Sequence, residues 1–254
     1  MRPFQLASSG QSRHRSPGEP ARGHGAPVES NQARIRANLR PVLIRVDLHL
    51  HSSASFDCKR DPERVAVRCR RLGLNPIFLT DHDTISGAMQ LQAGGRWRVV
   101  VGEEIMTTAG ELIGLFLERA VQSGLGPRET ALEIKAQGGL VYLEHPYDPF
   151  RRHLGEAAIE TLADTIDIVE IFNGRSEEEA NRRAEDLCGI LGAAAGAGSD
   201  AHSLREIGSA YVEMDDFEGA QDFLTKLRGA KIVKRRHKLL LVAEARLGNT
   251  MRRR

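Results

Sequence analysis

Val46-Asp47-Leu48-His49-Leu50-His51, continued by Ser52-Ser53-Ala54-Ser55-Phe56-Asp57, is the stretch from which both the fold and the chemistry of this chain are read. As a β-strand its side chains alternate between faces, so Asp47, His49 and His51 share one face and Leu48 and Leu50 the other. Ser52 and Ser53 end the alternation, which places both imidazoles where the strand opens into a loop. Imidazoles at i and i+2 can converge on one cation, since His is the commonest metal ligand near neutral pH. An isolated His-x-His also occurs on half-exposed strands with no ligand. What separates the two readings is what recurs downstream.

Working outward, Asp61-Pro62-Glu63 has the form of a helix start, a capping Asp with Pro in the first turn, and Gly73 is its expected stop. Residues 77–79, 99–101, 112–117, 140–143, 166–172 and 193–198 read as buried strands, mostly alternating with helical periods, and 211–214 as an extra edge strand. This alternation implies a parallel sheet, and about seven such units suit a closed or nearly closed barrel. No Gly-x-Gly-x-x-Gly follows the first strand and no P-loop occurs, which argues against a nucleotide-cofactor fold.

At 254 residues, 41% hydrophobic and 28% charged, the chain is long enough for a substantial core and has an ordinary globular composition. Its net charge of +2 hides an uneven layout: residues 1–40 carry +5, residues 226–254 carry +10, and the body between them −13. We expect a disordered basic tail over 1–40, one domain over 41–228, and a basic, partly helical tail over 229–254. Cys58, Cys69 and Cys188 form no Cys-x-x-Cys pair and no even-numbered framework, so a reducing, cytoplasmic compartment is expected. No apolar run approaches a membrane span, so no membrane partner is expected.

His49, His51, His82, His145 and His202 all fall at or just beyond the end of an expected strand, as do Asp57, Asp81, Glu104 and Asp200. In a barrel of parallel strands these ends share one rim, where barrel enzymes place their sites. Imidazoles mixed with carboxylates suit Zn, Mn or Fe, and so many ligands exceed the needs of one ion, so two or three divalent ions are inferred. Glu104 suits a bridge, having two oxygens to offer. His14, His24, His153 and His237 lie in tails or loops, and no ligand role is expected of them.

The runs DLHLHSSASFD, TDHD, GEEI, EHP and GSDAH, in this order, resemble the PHP (polymerase and histidinol phosphatase) family of metal-dependent phosphoesterases. The resemblance covers roughly residues 44 to 228. It implies a distorted seven-stranded parallel β/α barrel, TIM-like in outline, with up to three metals at the strand ends. By position, His49 and His51 would hold a first metal with Glu104 and Asp200. Asp57, His82 and His202 would hold another, and Glu104 and His145 would contribute to a third. Asp47 and Asp81 would orient imidazoles, and Glu103 would face away. One departure stands out: Glu111 occupies the place where many members carry a His. Either it is a replacement oxygen ligand or the third position is weak.

The activity expected is hydrolysis of a phosphate ester by metal-activated water, with Asp81, Asp200 and His202 as catalytic candidates. Asn173, Arg175 and Arg151 are candidates for the substrate phosphate, with Arg152 and Lys59 behind them; an Arg presents two parallel donors to phosphate oxygens. The expected substrate is a small phosphomonoester, a nucleotide or an oligonucleotide end. The acidic body counts against a duplex, so no duplex nucleic acid is expected. The alternatives are a non-catalytic metal-binding module that docks a partner, which loss of a ligand at Glu111 would favour, and an amidohydrolase acting on C–N bonds.

Overall fold

The computed structural model describes residues 42–235. The expected tail over 1–40 and the stretch beyond 235, with His14, His24 and His237, lie outside the described residues. Strand β1 (Leu43–Val46) pairs antiparallel with β8 (Ala210–Asp215), which pairs in turn with β9 (Lys231–Lys234). The described fold runs past residue 228, with β9 over Lys231–Lys234.

The second sheet holds six strands in chain order: β2 (Ile77–Leu79), β3 (Val99–Thr107), β4 (Gly110–Leu115), β5 (Leu140–Leu143), β6 (Ile168–Asn173) and β7 (Ala194–Gly198). It is curled into a half-barrel and is not the expected seven-stranded parallel barrel. The pairs β2–β3, β5–β6 and β6–β7 are parallel, but β4 is antiparallel to both β3 and β5. The cause lies in the connection. Only Thr108 and Ala109 separate β3 from β4, and a two-residue turn can only reverse the chain, whereas parallel neighbours need a crossover of a dozen residues. The expected strand end after Val101 is also overrun: β3 continues through Glu103 and Glu104, with Glu104 opposite Ile113 of β4.

Helices α1 (Pro62–Arg71), α2 (Ser86–Ala93), α3 (Pro127–Ala136), α4 (Glu156–Leu162) and α5 (Glu178–Leu191) follow in the gaps, and α6 (Gly219–Leu227) closes the described fold. Asp61 caps α1 as its sequence indicates, its carboxylate accepting the Glu63 and Arg64 N–H groups. Alternation along the strands feeds two cores. Leu79, Val101, Val141 and Val169 pack with Val65, Leu91, Ile134 and Leu187 of the helices. Phe78, Ile113, Tyr142 and Ile168 pack instead with Val212 of β8 and with Phe223 and Leu227 of α6.

The opening stretch is not a continuous strand. Beyond β1, residues 47–51 are held between the two edges of the curled sheet by single hydrogen bonds. On one side Leu48 N–H donates to Ala197 O, Asp200 N–H to His49 O and His51 N–H to Ala201 O; on the other Thr80 N–H donates to Leu50 O. Leu48 and Leu50, expected on one face, accordingly join different cores.

Candidate metal centre

Glu104 is the acceptor around which the histidines gather. Its Oε2 lies 3.1 Å from His49 Nε2, 3.1 Å from His51 Nε2 and 3.5 Å from His82 Nδ1. Its Oε1 lies 3.0 Å from His145 Nε2. Asp57 Oδ2 is 2.9 Å from His202 Nε2 and 3.5 Å from His82 Nε2. Asp200 Oδ1 is 3.5 Å from His51 Nε2 and 3.4 Å from His202 Nδ1. All eight ligand candidates read from the sequence therefore meet, although 153 positions separate His49 from His202. Glu111 joins them, with Oε1 3.6 Å from His82 Nδ1.

The electrostatics follow from this packing. Burial alone would raise the Glu104 carboxyl, yet the imidazoles of His49, His82 and His145 hold it well below the usual range. Burial would lower His49, but Glu104, Glu170 and Asp200 hold it well above its ordinary value. Asp200 resists its own burial because Arg151 and Arg175, then His49, keep it strongly acidic. Several donor atoms are buried yet make no hydrogen bond: Asp57 Oδ1, Glu144 Oε1 and His145 Nδ1. Donor atoms of four three-residue sets lie within 4.8 Å of one another: His49/His51/Glu104, His51/His82/His202, His82/Glu104/Glu111 and Glu104/Glu144/His145. Unpartnered nitrogen and oxygen donors, in mixed sets of this size, fit divalent transition ions.

The chain bends unusually to achieve this. Asp200 and His145 have positive φ, 52° and 29°, a region that costs a non-glycine residue energy and that clusters at functional sites. Gly198 is required by proximity: a Cβ there would overlap His49 Cβ and Glu170 Oε1.

Asp81 and Asn173, expected to act directly, and Asp47, expected to orient an imidazole, are instead tied to the framework. Both oxygens of Asp81 are taken by serines, Oδ1 by Ser52 N–H and Ser55 Oγ, Oδ2 by Ser52 Oγ. Ser55 Oγ in turn lies 3.2 Å from His51 Nδ1, so Asp81 reaches an imidazole only through Ser55. Asp47 accepts from Ser199 N–H, Ser199 Oγ and Gly208 N–H and touches no imidazole ring. Asn173 donates to Glu170 and accepts from Arg175 N–H, which occupies its amide. Arg151 Nη2 is 2.9 Å from Asp200 Oδ2, and Arg175 Nη1 is 2.6 Å from His202 Nδ1. Glu103 faces away from the cluster, its Oε2 accepting Val121 N–H.

Sequence reading missed Glu170. Fully buried, its Oε1 lies 3.2 Å from His49 Nδ1 and accepts Tyr142 OH, while Oε2 accepts His145 N–H and Asn173 Nδ2. A carboxylate on the second nitrogen of a ligand imidazole fixes its tautomer and ring orientation. The signal was present as a lone Glu inside the apolar run Ile168-Val169-Glu170-Ile171-Phe172.

A model of the PHP-associated family matches residues 178–232. An uncharacterized protein of Methanocaldococcus jannaschii is 36% identical over 143 residues, spanning 51% of this chain and 82% of its own length. The chain belongs to the PHP domain family. A two-domain Bacteroides vulgatus protein, described as containing a predicted PHP-like metal-dependent phosphoesterase, superposes with a TM-score of 0.64 at 18% identity, covering 77% of this chain and 66% of its own. Endonuclease Q, in complex with a 27-mer duplex carrying an abasic lesion at its active site, superposes with a TM-score of 0.54 at 14% identity, covering 74% of this chain and 57% of its own.

That complex overturns the expectation that duplex nucleic acid is no partner: a PHP-type fold admits a duplex at its active site. The expectation rested on the net charge of the whole body. Net charge summed over the body does not describe the local field at one face, so it does not exclude a duplex. Among the described residues, no helix is long and apolar enough to cross a membrane.

Proposed function

We propose that this chain is a metal-dependent phosphoric ester hydrolase acting on a small phosphomonoester, a nucleotide or an oligonucleotide end. The observation that carries the reading is the buried Glu104 carboxylate, within 3.5 Å of four imidazoles, beside an Asp200 flanked by two arginines. His49, His51, Glu104 and Asp200 would hold one divalent ion (Mn, Zn or Fe) and Asp57, His82 and His202 another, with Glu104 and His145 contributing to a third position. Such ions supply Lewis acidity toward phosphoryl oxygens and lower the pKa of water.

The chain's own groups do the rest. The Arg151 and Arg175 side chains are 22% and 21% exposed, so their guanidinium groups can meet phosphate oxygens from the rim while still neutralising Asp200. Asp200 and His202 face the cluster and remain the catalytic candidates. Asp81 acts by holding Ser52 and Ser55, and Asn173 by holding Glu170 and the Arg175 backbone.

The test is a phosphatase and nuclease screen of protein reconstituted with Mn or Zn. The panel runs from aryl and sugar phosphates to nucleotides and to single- and double-stranded oligonucleotides. His49→Ala should abolish whatever turnover wild type shows. Unchanged rates in that variant would refute the site. A metal-loaded, folded wild type inert toward the whole panel would favour a docking module instead.

A further inference from the structure

Resting on the metal centre of the preceding section, a second feature concerns Glu144. It stands directly before His145, is fully buried, and was no part of the ligand set that the family resemblance implied. Its Oε2 accepts the Ile113 N–H at 3.0 Å, and its Oε1 has no hydrogen-bond partner. A buried carboxylate oxygen with nothing to accept is a costly arrangement that calls for an explanation. The position supplies one: Glu144, Glu104 and His145 each present a donor atom within 4.8 Å of the others, and His145 Nδ1 is likewise unpartnered. The Glu111 carboxylate forms a further set of the same size with His82 and Glu104, and it is close enough to interact electrostatically with both His145 and Glu144.

We propose that Glu144 is a metal ligand, and that Glu144, Glu111, Glu104 and His145 form an oxygen-rich position that selects a hard divalent ion, manganese or magnesium. It lies beside the imidazole-rich positions of His49/His51 and His51/His82/His202, whose donors suit zinc or iron. Carboxylates favour hard cations and imidazoles favour borderline ones, so replacing the family's His by Glu111 shifts the preference of this one position and leaves the others as they were. The protein is a mixed-metal binder by construction.

Metal counting tests this without reference to turnover. Wild-type protein, stripped and then incubated with a large excess of manganese and about three equivalents of zinc per chain, since zinc binds any given site more tightly at equal concentration, is dialysed and both metals are counted by mass spectrometry. Wild type should retain about one manganese alongside its zinc. Glu144→Gln should lose that manganese and keep the zinc. Glu111→His, which keeps a ligand at the position and serves if the first variant fails to fold, should exchange manganese for zinc. Circular dichroism melts check that each variant is folded. Zinc displacing all manganese from wild type, or full manganese in both variants, would overturn the proposal while leaving the imidazole positions intact. A wild type that retains neither metal would instead overturn the metal centre itself.

Discussion

Glu170→Gln is the substitution that most directly probes how the centre is built. The change is nearly isosteric, but it converts one acceptor oxygen into an amide nitrogen that can only donate. At the Oε2 position that nitrogen would face two donors, the His145 N–H and Asn173 Nδ2. The amide therefore settles with its nitrogen at the Oε1 position, where Tyr142 OH can turn and accept. His49 Nδ1 lies 3.2 Å from that position and must then accept as well. A neutral imidazole that accepts at Nδ1 carries its proton on Nε2, the atom that faces Glu104 Oε2 at 3.1 Å. The variant thus removes the lone pair His49 would offer a metal without touching a ligand. Changes at such supporting partners cost about 10–100-fold in metal affinity or activity, or about 1.4–2.7 kcal/mol. Affinity is measured by competition with a chromophoric chelator, with thermal melts as a control for folding. Wild-type metal affinity in a folded Glu170→Gln protein would sink the tautomer reasoning.

Two further outcomes follow from the same geometry. Gly198→Ala drives a methyl into His49 and Glu170 and should cost about 1–3 kcal/mol in chemical denaturation, together with a measurable loss of bound metal; unchanged values for both would show that the close approach is not needed. Burial pushes the Glu103 carboxyl from its ordinary 4.5 up to about 7. Between those pH values the folded protein keeps a proton that the unfolded chain has released, so stability falls as pH rises through the window, by at most about 1.4 kcal/mol per pH unit. Glu103→Gln removes that titration, so its stability relative to wild type should climb from pH 4.5 to 7; a constant offset across the range would contradict the assignment.

The residues that cluster around Glu104 were legible because each belongs to a short motif. His49, His51, His82, His145 and His202 each announce themselves at the end of an apolar run, and burial of the runs forces their ends together. Glu170 stands out in the sequence only as a lone acid within an apolar strand; its meaning comes from Tyr142 and His49, 28 and 121 positions away. The expectation of all-parallel strands failed on one local feature. Thr108-Ala109 carries no turn pair of the usual Asn-Gly kind, so the hairpin it makes was read as a break between two parallel strands. Asp81 was assigned to catalysis from its motif, whereas the serines that occupy its oxygens are 26 and 29 positions upstream.

The reversed direction of β4 has a consequence of its own. In the parallel strands the residues near the chemistry sit at or beyond the ends, but on β4 it is the beginning that arrives there, with Glu111 the second residue past the turn. Inserting or deleting a single residue at 108–109 would slide the register and rotate Glu111 out of the pocket, bringing a neighbour in its place. Which atom greets the cation at that corner is thereby decided by loop length as much as by side-chain identity, which makes the hairpin a ready handle for redesigning ion preference.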